Sequence, residues 1–467
     1  MTIFITLFCI AFTILAWKKL DWAILTLLFL LPSYLIRFHV FGLPMTLLES
    51  MILIVFLIWL IKNIKRLAKS IKENVKNRRI KLRYPWDIEI ILLLLISFIA
   101  IGVAGWTNSA FGLWKAYFFE PILLFLVMAN IFQSKKDFMR IVWALMFSAL
   151  AVSLFGIFQY FTGLYISNPF WAAEATRRVT SVFEYPNAVA LYLAPIIMLG
   201  FGWLLSIAKA KQVKVWLTIG LSLIIILSLL TIYFAQSEGA LAALFLSFII
   251  IGFFSNKKIA ISTLVITIII IAGVFSIAPI RNYATQKITM NDLSGQIRKL
   301  QWKETKQMLK EGDIFLGTGL GGYQSAIAPY HQEGFFYNFD NDEDFKQQTI
   351  NSADYRATHW QPVEIYLYPH NIFLNFWTEL GIVGALLFVW LILKYFVLAI
   401  RSIIKNDDKY FILGLGGAVL TMIIHGWVDV PYFKNDLAIL FWVLFLILGM
   451  LSRQGRETKI QEIVSTN

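Results

Sequence analysis

The chain is poor in charge and nearly free of cysteine, and each shortage excludes something. Only 15% of its 467 residues are Asp, Glu, Lys or Arg, against roughly 25% in soluble domains. The single cysteine, Cys9, rules out a disulfide framework and a thiolate metal site. No Gly-Lys-Ser/Thr follows the glycine-rich stretch "GTGLGGYQSAIAPY" (317–330), so it is not a Walker A loop. Neither metal-ligand spacing nor a nucleophile elbow occurs, and no internal repeat or low-complexity segment is present. Strand-like alternation is absent as well. What remains is apolar: 59% of residues are hydrophobic, with a mean hydropathy of +0.71.

That apolar content comes in runs of about 17–25 residues, each able to span a bilayer. Backbone groups in lipid must be satisfied internally, which makes these spans helices. The expected fold is therefore an all-α polytopic membrane protein. Runs fall near 2–17, 21–36, 43–61, 88–105, 112–132, 138–160, 187–208, 214–234, 238–254, 259–279, 371–400, 409–426 and 436–452. Pro32 interrupts the second, so the count is twelve or thirteen. The first run has no basic n-region or small-residue cleavage site and reads as a retained helix.

The net charge of +13 invites a nucleic-acid reading. Its placement beside the spans argues for membrane topology instead. Segment 62–83 holds ten Lys/Arg and one Glu, which places it in the cytoplasm. Alternation from there puts "QSKKD", "AKAKQVK", "SNKK", "RSIIKNDDK" and the tail "SRQGRETK" inside too. The chain divides into amino-terminal helices (1–61), a basic loop (62–87), a helical core (88–279), a long exterior segment (280–370), carboxy-terminal helices (371–452) and a cytoplasmic tail (453–467). The exterior segment carries nine Lys/Arg, eleven Asp/Glu and many aromatics. A loop that long is uncommon without a function. Within it, 294–312 reads as an amphipathic helix stopped by Gly312, able to lie on the membrane surface.

The candidate chemical groups all map to the exterior side. In "YPHNIFLNFWTELGIVGALLFV" (368–389), His370 stands at a helix start. Asn371, Asn375 and Thr378 share an arc of roughly 60° at about 100° per residue, flanked by Glu379. Gly381 and Gly384 below them permit close packing of another helix. The glycine-rich stretch with Tyr323 can turn tightly or offer amides to phosphate. Arg177 and Arg178, ahead of the span that opens with Pro186-Asn187, suit a diphosphate through bidentate guanidinium contacts. Glu238 lies at the edge of the ninth run. In "HGWVDVPYFKND" (425–436), His425 and Asp429 are four apart and can share a helix face, with Tyr432 and Lys434 adding polar tips. An interfacial helix end, a flexible turn and snorkelling to headgroups are the bland counterparts of these readings.

Together these stretches resemble the O-antigen ligase and polymerase superfamily. The resemblance rests on "RKLQWKETKQML", "GTGLGGYQSAIAPY" and "HNIFLNFWTELGIVGALLFV", with "TSVFEYPNAVALYLAP" before and "HGWVDVPYFKNDLAILFW" after, and covers roughly 170–450. It implies a GT-C-like fold and a metal-independent glycosyltransferase or ligase with no cofactor. Such an enzyme sits in the cytoplasmic membrane, its active site facing the periplasm or exterior. It moves a glycan from undecaprenyl diphosphate to a lipid, glycan or protein acceptor, among membrane lipids and with no nucleic acid. The resemblance further implies that His370 serves the acceptor hydroxyl, and that Arg178 (or Arg177) and Arg298 grip the donor diphosphate. One departure stands out. Ser237-Glu238-Gly239 occupies the place of a family Ser-Arg-Gly, so another cation, such as Arg281 or Lys299, must supply that charge, or donor recognition differs. The alternatives are a polymerase of the same superfamily and, in another class, a lipid-linked glycan flippase, which would need polar residues through the midplane.

Overall fold

The computed structural model describes residues 2–40, 42–76, 84–209, 215–405 and 408–465. Parts of the basic loop (77–83) and of "AKAKQVK" (210–214) lie outside these residues. Each of the thirteen expected runs overlaps a helix. They are α1 (Thr2–Lys18), α2 (Leu20–Phe29), α3 (Leu47–Lys76), α4 (Asp87–Val103) and α5 (Asn108–Ile131, with a π-turn at Lys115–Phe119). Next come α6 (Lys135–Thr162), α7 (Pro186–Ala208), α8 (Val215–Phe234), α9 (Glu238–Phe254) and α10 (Lys257–Ser276). After α11 (Ala278–Ile288) and α12 (Leu293–Glu311) follow α13 (Ile372–Lys405), α14 (Lys409–His425) and α15 (Asn435–Ser465). Eight of the described helices are long and apolar enough to cross a membrane, and four shorter apolar ones accompany them. The fold is that of an all-α polytopic membrane protein.

Two helices form the axis. The apolar windows of α7 and α15 are 83% and 89% buried, whereas that of α10, at the periphery, has no buried residue. Small residues set the closest crossing. Gly202 of α7 meets Gly414 of α14 backbone to backbone, with no room for a Cβ on either, as expected where helices associate through packing rather than hydrophobic expulsion. Charged groups pair at the pole where α6 begins: Lys135 with Asp408, and Arg140 with Asp21. We refer to this end as the basic pole. The turns after α8 and α14 and the segment between α10 and α13 gather at the opposite, site pole.

Three local readings are corrected. The second run ends as helix at Phe29. Pro32 lies in a 3-10 turn over Leu31–Leu35, and the chain then forms a hairpin, β1 (Arg37–Val40) with β2 (Leu43–Thr46), so 43–46 is strand rather than the start of a span. Gly381 does not seat a neighbouring helix. It breaks α13 at φ +72°, where Phe315 and Leu316 press on its backbone and Ile382 N–H donates to Phe315 O at 3.2 Å. His425 is the last residue of α14, so Asp429 lies in the following turn and not on the same helix face.

The segment between α10 and α13 is folded. Helix α12 ends at Glu311 with Gly312 as its cap. The face of α12 that is covered carries Gln301, Glu304 and Thr305 beside Met308 and Leu309, so it packs on protein rather than lying on a lipid surface. A short ladder, β3 (Gly334–Phe336) with β4 (Trp360–Pro362), closes the rest.

Candidate functional site

His370 sits in a turn whose conformation is costly. Its φ is +43°, the left-handed region that few residues without Asn- or Gly-like freedom adopt. Contacts from three elements hold it there. Asn371 caps α13, its Oδ1 accepting from Phe373 and Leu374 N–H at 3.0 Å, while its Nδ2 donates to Trp427 O at 3.1 Å. Ile372 N–H donates to Gly426 O at 2.7 Å. From α12, Trp302 Nε1 donates to Pro369 O and Gln301 Nε2 to Tyr368 O, both at 2.9 Å.

Those contacts fix the imidazole tautomer. With Gln301 Nε2 spent as a donor, its Oε1 is the acceptor facing His370 Nδ1 at 3.1 Å. Nδ1 therefore carries the hydrogen, and Nε2 keeps its lone pair. The rings of Tyr366 and Tyr368 each lie 4.9 Å from the imidazole. Burial lowers the pKa of His370, partly opposed by Asp429 and helped by Arg298. That shift favours the uncharged ring at neutral pH.

Arg298 is one turn before Gln301 on α12. Its Nε donates to Val428 O at 3.1 Å and its Nη1 to Ser294 Oγ at 2.6 Å. Asp429 is buried in the turn after α14, with Oδ1 accepting from Val430 N–H at 2.9 Å. Its charge acts on His370, Tyr368 and Lys434.

A cavity of about 400 Å³ opens beside this turn. Its walls carry Arg37 from the hairpin, Glu184 and Tyr185 ahead of α7, Tyr368, Asn375 and Glu379 of α13, and Lys434. The two tyrosine hydroxyls meet at 3.1 Å, and Lys434 Nζ stands 4.0 Å above the Tyr185 ring. Burial lowers the Lys434 pKa against Asp436, Asp429 and Glu184. Asn375 Oδ1 is buried with no hydrogen-bond partner among the described residues, an acceptor left open at the cavity wall.

The glycine-rich stretch frames the cavity by backbone. Gly317, Gly319 and Gly321 all have φ near +70°. The chain threads between α4 and α13, donating from Thr318 N to Thr378 O at 2.7 Å, from Leu320 N to Ala100 O at 3.3 Å and from Gly321 N to Glu379 Oε2 at 2.7 Å. Those three amides are spent on protein and not presented to an anion. Tyr323 is buried and bonded to Thr305 Oγ1 at 2.8 Å, joining this stretch to α12.

The other candidates form a second cluster. Arg177 donates to Ala172 O at 3.2 Å and Tyr160 O at 2.9 Å. Arg178 donates to Ala235 O at 3.0 Å and to Asn187 Oδ1 and Gln236 O at 3.3 Å. Burial lowers the Arg178 pKa against the pull of Glu238. Glu238 itself pairs with Lys287 Nζ at 2.5 Å and accepts from Tyr283 OH. The cation beside Glu238 is thus Lys287, and Lys299 is committed to Thr289 O at 2.6 Å. Gly239 packs on the His425 ring, so the two clusters adjoin at the α9–α14 contact. Arg177, Arg178, Asn187 and Glu238 are not part of the cavity wall, and neither are His370, Asn371, Arg298, Tyr323 and Asp429; the His370 turn reaches the wall through Leu367 and Tyr368.

Sequence reasoning missed Arg37, Glu184, Tyr185 and Gln301. A lone arginine in "SYLIRFHVFG", away from every basic run, was the available signal for Arg37.

Residues 223–389 match the family model described as O-antigen ligase. The match supports membership of the chain in the O-antigen ligase superfamily, and with it a ligase- or polymerase-like glycan enzyme built on a multi-pass helical fold. It includes Glu238, Arg298, the glycine-rich stretch and His370, and stops before Asp429 and Lys434. No curated protein matches the chain.

Proposed function

We propose that the protein transfers a glycan from a polyprenyl diphosphate to an acceptor hydroxyl at the site pole, which faces away from the cytoplasm. The observation that carries this reading is the His370 turn, with Nδ1 held by Gln301 Oε1 and its neighbour Tyr368 lining a cavity whose wall also carries two cations, Arg37 and Lys434. The acceptor oxygen attacks the anomeric carbon and its proton passes to His370 Nε2. The bond from that carbon to the phosphate oxygen breaks, and the polyprenyl diphosphate leaves with the electron pair. The Arg37 guanidinium and the Lys434 ammonium at the cavity wall stabilise the charge that grows on the leaving group. Arg298, held against the His370 turn, adds to the positive field. Asn375 Oδ1 is open to a sugar hydroxyl.

The test is expression with a polyprenyl-diphosphate glycan pathway, comparing wild type with His370→Ala by gel analysis of glycans. Removing a general base costs about 10²–10⁴-fold, so transfer should vanish at unchanged protein level. A lost full-length product on a new acceptor marks a ligase, and a lost ladder of lengths marks a polymerase. Equal products from both proteins would refute the assignment, and retained lipid-glycan flux without transfer in wild type would point to a flippase.

A further inference from the structure

We propose that the basic pole holds a built site for an anionic phospholipid. Two cavities meet there at one residue. A polar cavity of about 500 Å³ is enclosed by the α1–α2 junction, the far part of α3 and the α5–α6 junction. Its charged lining is Lys18, Lys19, Arg66 and Arg140 against Asp21 and Asp137. An apolar groove of about 810 Å³ runs between α2 and α6, lined by Trp22, Phe29, Trp143, Phe147, Ala151 and Leu154 among others. Arg140 belongs to both.

Arg140 is fixed at the junction. Its Nη2 lies 2.6 Å from Asp21 Oδ2 and its guanidinium stacks 5.4 Å from the Trp22 ring. The two carboxylates are engaged: Asp21 with Arg140, and Asp137 in the Ser134 capping box with Arg140 at 3.7 Å. The positive surplus is therefore open to a headgroup phosphate. From Arg140 to Leu154 the groove follows α6 for about 21 Å at about 1.5 Å per residue. That exceeds half of the roughly 30 Å hydrocarbon core, enough for an acyl chain of the adjacent leaflet. A basic pocket between helices that continues into an apolar groove is how membrane proteins hold anionic headgroups.

A polyprenyl donor fits this groove less well. Helix α6 begins at this pole and ends at Tyr160–Thr162, where Tyr160 O receives Arg177. A diphosphate seated at Arg140 would thus lie a full helix length from the His370 pole. This inference is independent of the proposed glycan transfer.

The experiment is native mass spectrometry of the full chain in detergent, offered equimolar phosphatidylglycerol and phosphatidylcholine with identical acyl chains. Wild type should retain phosphatidylglycerol about tenfold over phosphatidylcholine, given the worth of each basic residue near anionic lipid. Lys18→Gln with Lys19→Gln should cut that preference to within about twofold. Ala151→Phe, which fills the groove without touching charge, should lose both lipids while helicity by circular dichroism is unchanged. No wild-type preference would overturn the proposal. So would phosphatidylglycerol retention unaltered in Ala151→Phe, which would mean diffuse surface attraction, or a stronger preference for polyprenyl phosphate over phosphatidylglycerol.

Discussion

Two groups of cations stand at the site pole, and they differ in what their hydrogens are doing. Arg177 and Arg178 give theirs to backbone carbonyls and Asn187, tying the segment ahead of α7 to α6 and to the turn after α8. Arg37 and Lys434 face a cavity, and Lys434 is held there over an aromatic ring. In the sequence the paired arginines were the stronger diphosphate signal. The structure teaches that availability decides: a guanidinium already satisfied by fixed carbonyls must break those bonds to take a ligand, while a cation at an open wall need not.

The contrast can be broken by substitution. The largest effect is expected from Lys434→Ala combined with Arg37→Ala. Loss of charge at the leaving group should lower kcat/KM by about 10²–10³-fold, measured as donor consumption by purified protein. If the double variant keeps wild-type rates, the cavity does not hold the diphosphate. Gln301→Leu comes next. It removes the Nδ1 acceptor without touching substrate, so His370 loses its fixed tautomer. A fall of about 10-fold in kcat with KM little changed is expected, within the 10²–10⁴-fold of the base itself, and Gln301→Glu should restore most of it. Arg177→Lys should barely alter the rate per folded molecule. It should instead lower stability by about 1 kcal/mol, the worth of hydrogen bonds lost to two half-buried carbonyls, read from the thermal midpoint in detergent. A large rate loss with unchanged stability would move Arg177 from scaffold to substrate.

The helices were legible because hydropathy is a local signal, strong enough that each of the thirteen runs overlaps a helix. Their ends were less so. The β1–β2 hairpin hides among apolar residues, since Pro32 stops a helix but does not announce a strand. Gly381 could be read as a packing site, but only the fold shows that the 315–322 backbone fills the break it makes. The His370 turn was half legible. Its place at a helix start followed from Pro369, whereas its partner Gln301 lies 69 residues away on α12. The cavity draws on the hairpin, α5, the start of α7, the glycine-rich stretch, α13 and Lys434, and no spacing rule joins segments that distant. Asn371 and Tyr323 had the right residue types for binding, but their hydrogen bonds go to a helix cap and a buried hydroxyl.

The central claim is that His370 works as a neutral base, and the pH dependence of kcat/KM tests it most directly. Because burial lowers its pKa, the acid limb of the wild-type profile should fall below the unperturbed histidine value of about 6.5. Activity should be full above that limb and lost as the ring protonates. In Gln301→Glu a carboxylate beside Nδ1–H favours the imidazolium, so the limb should move to higher pH. A wild-type limb at or above about 6.5, or a limb that stays in place in Gln301→Glu, would contradict the account.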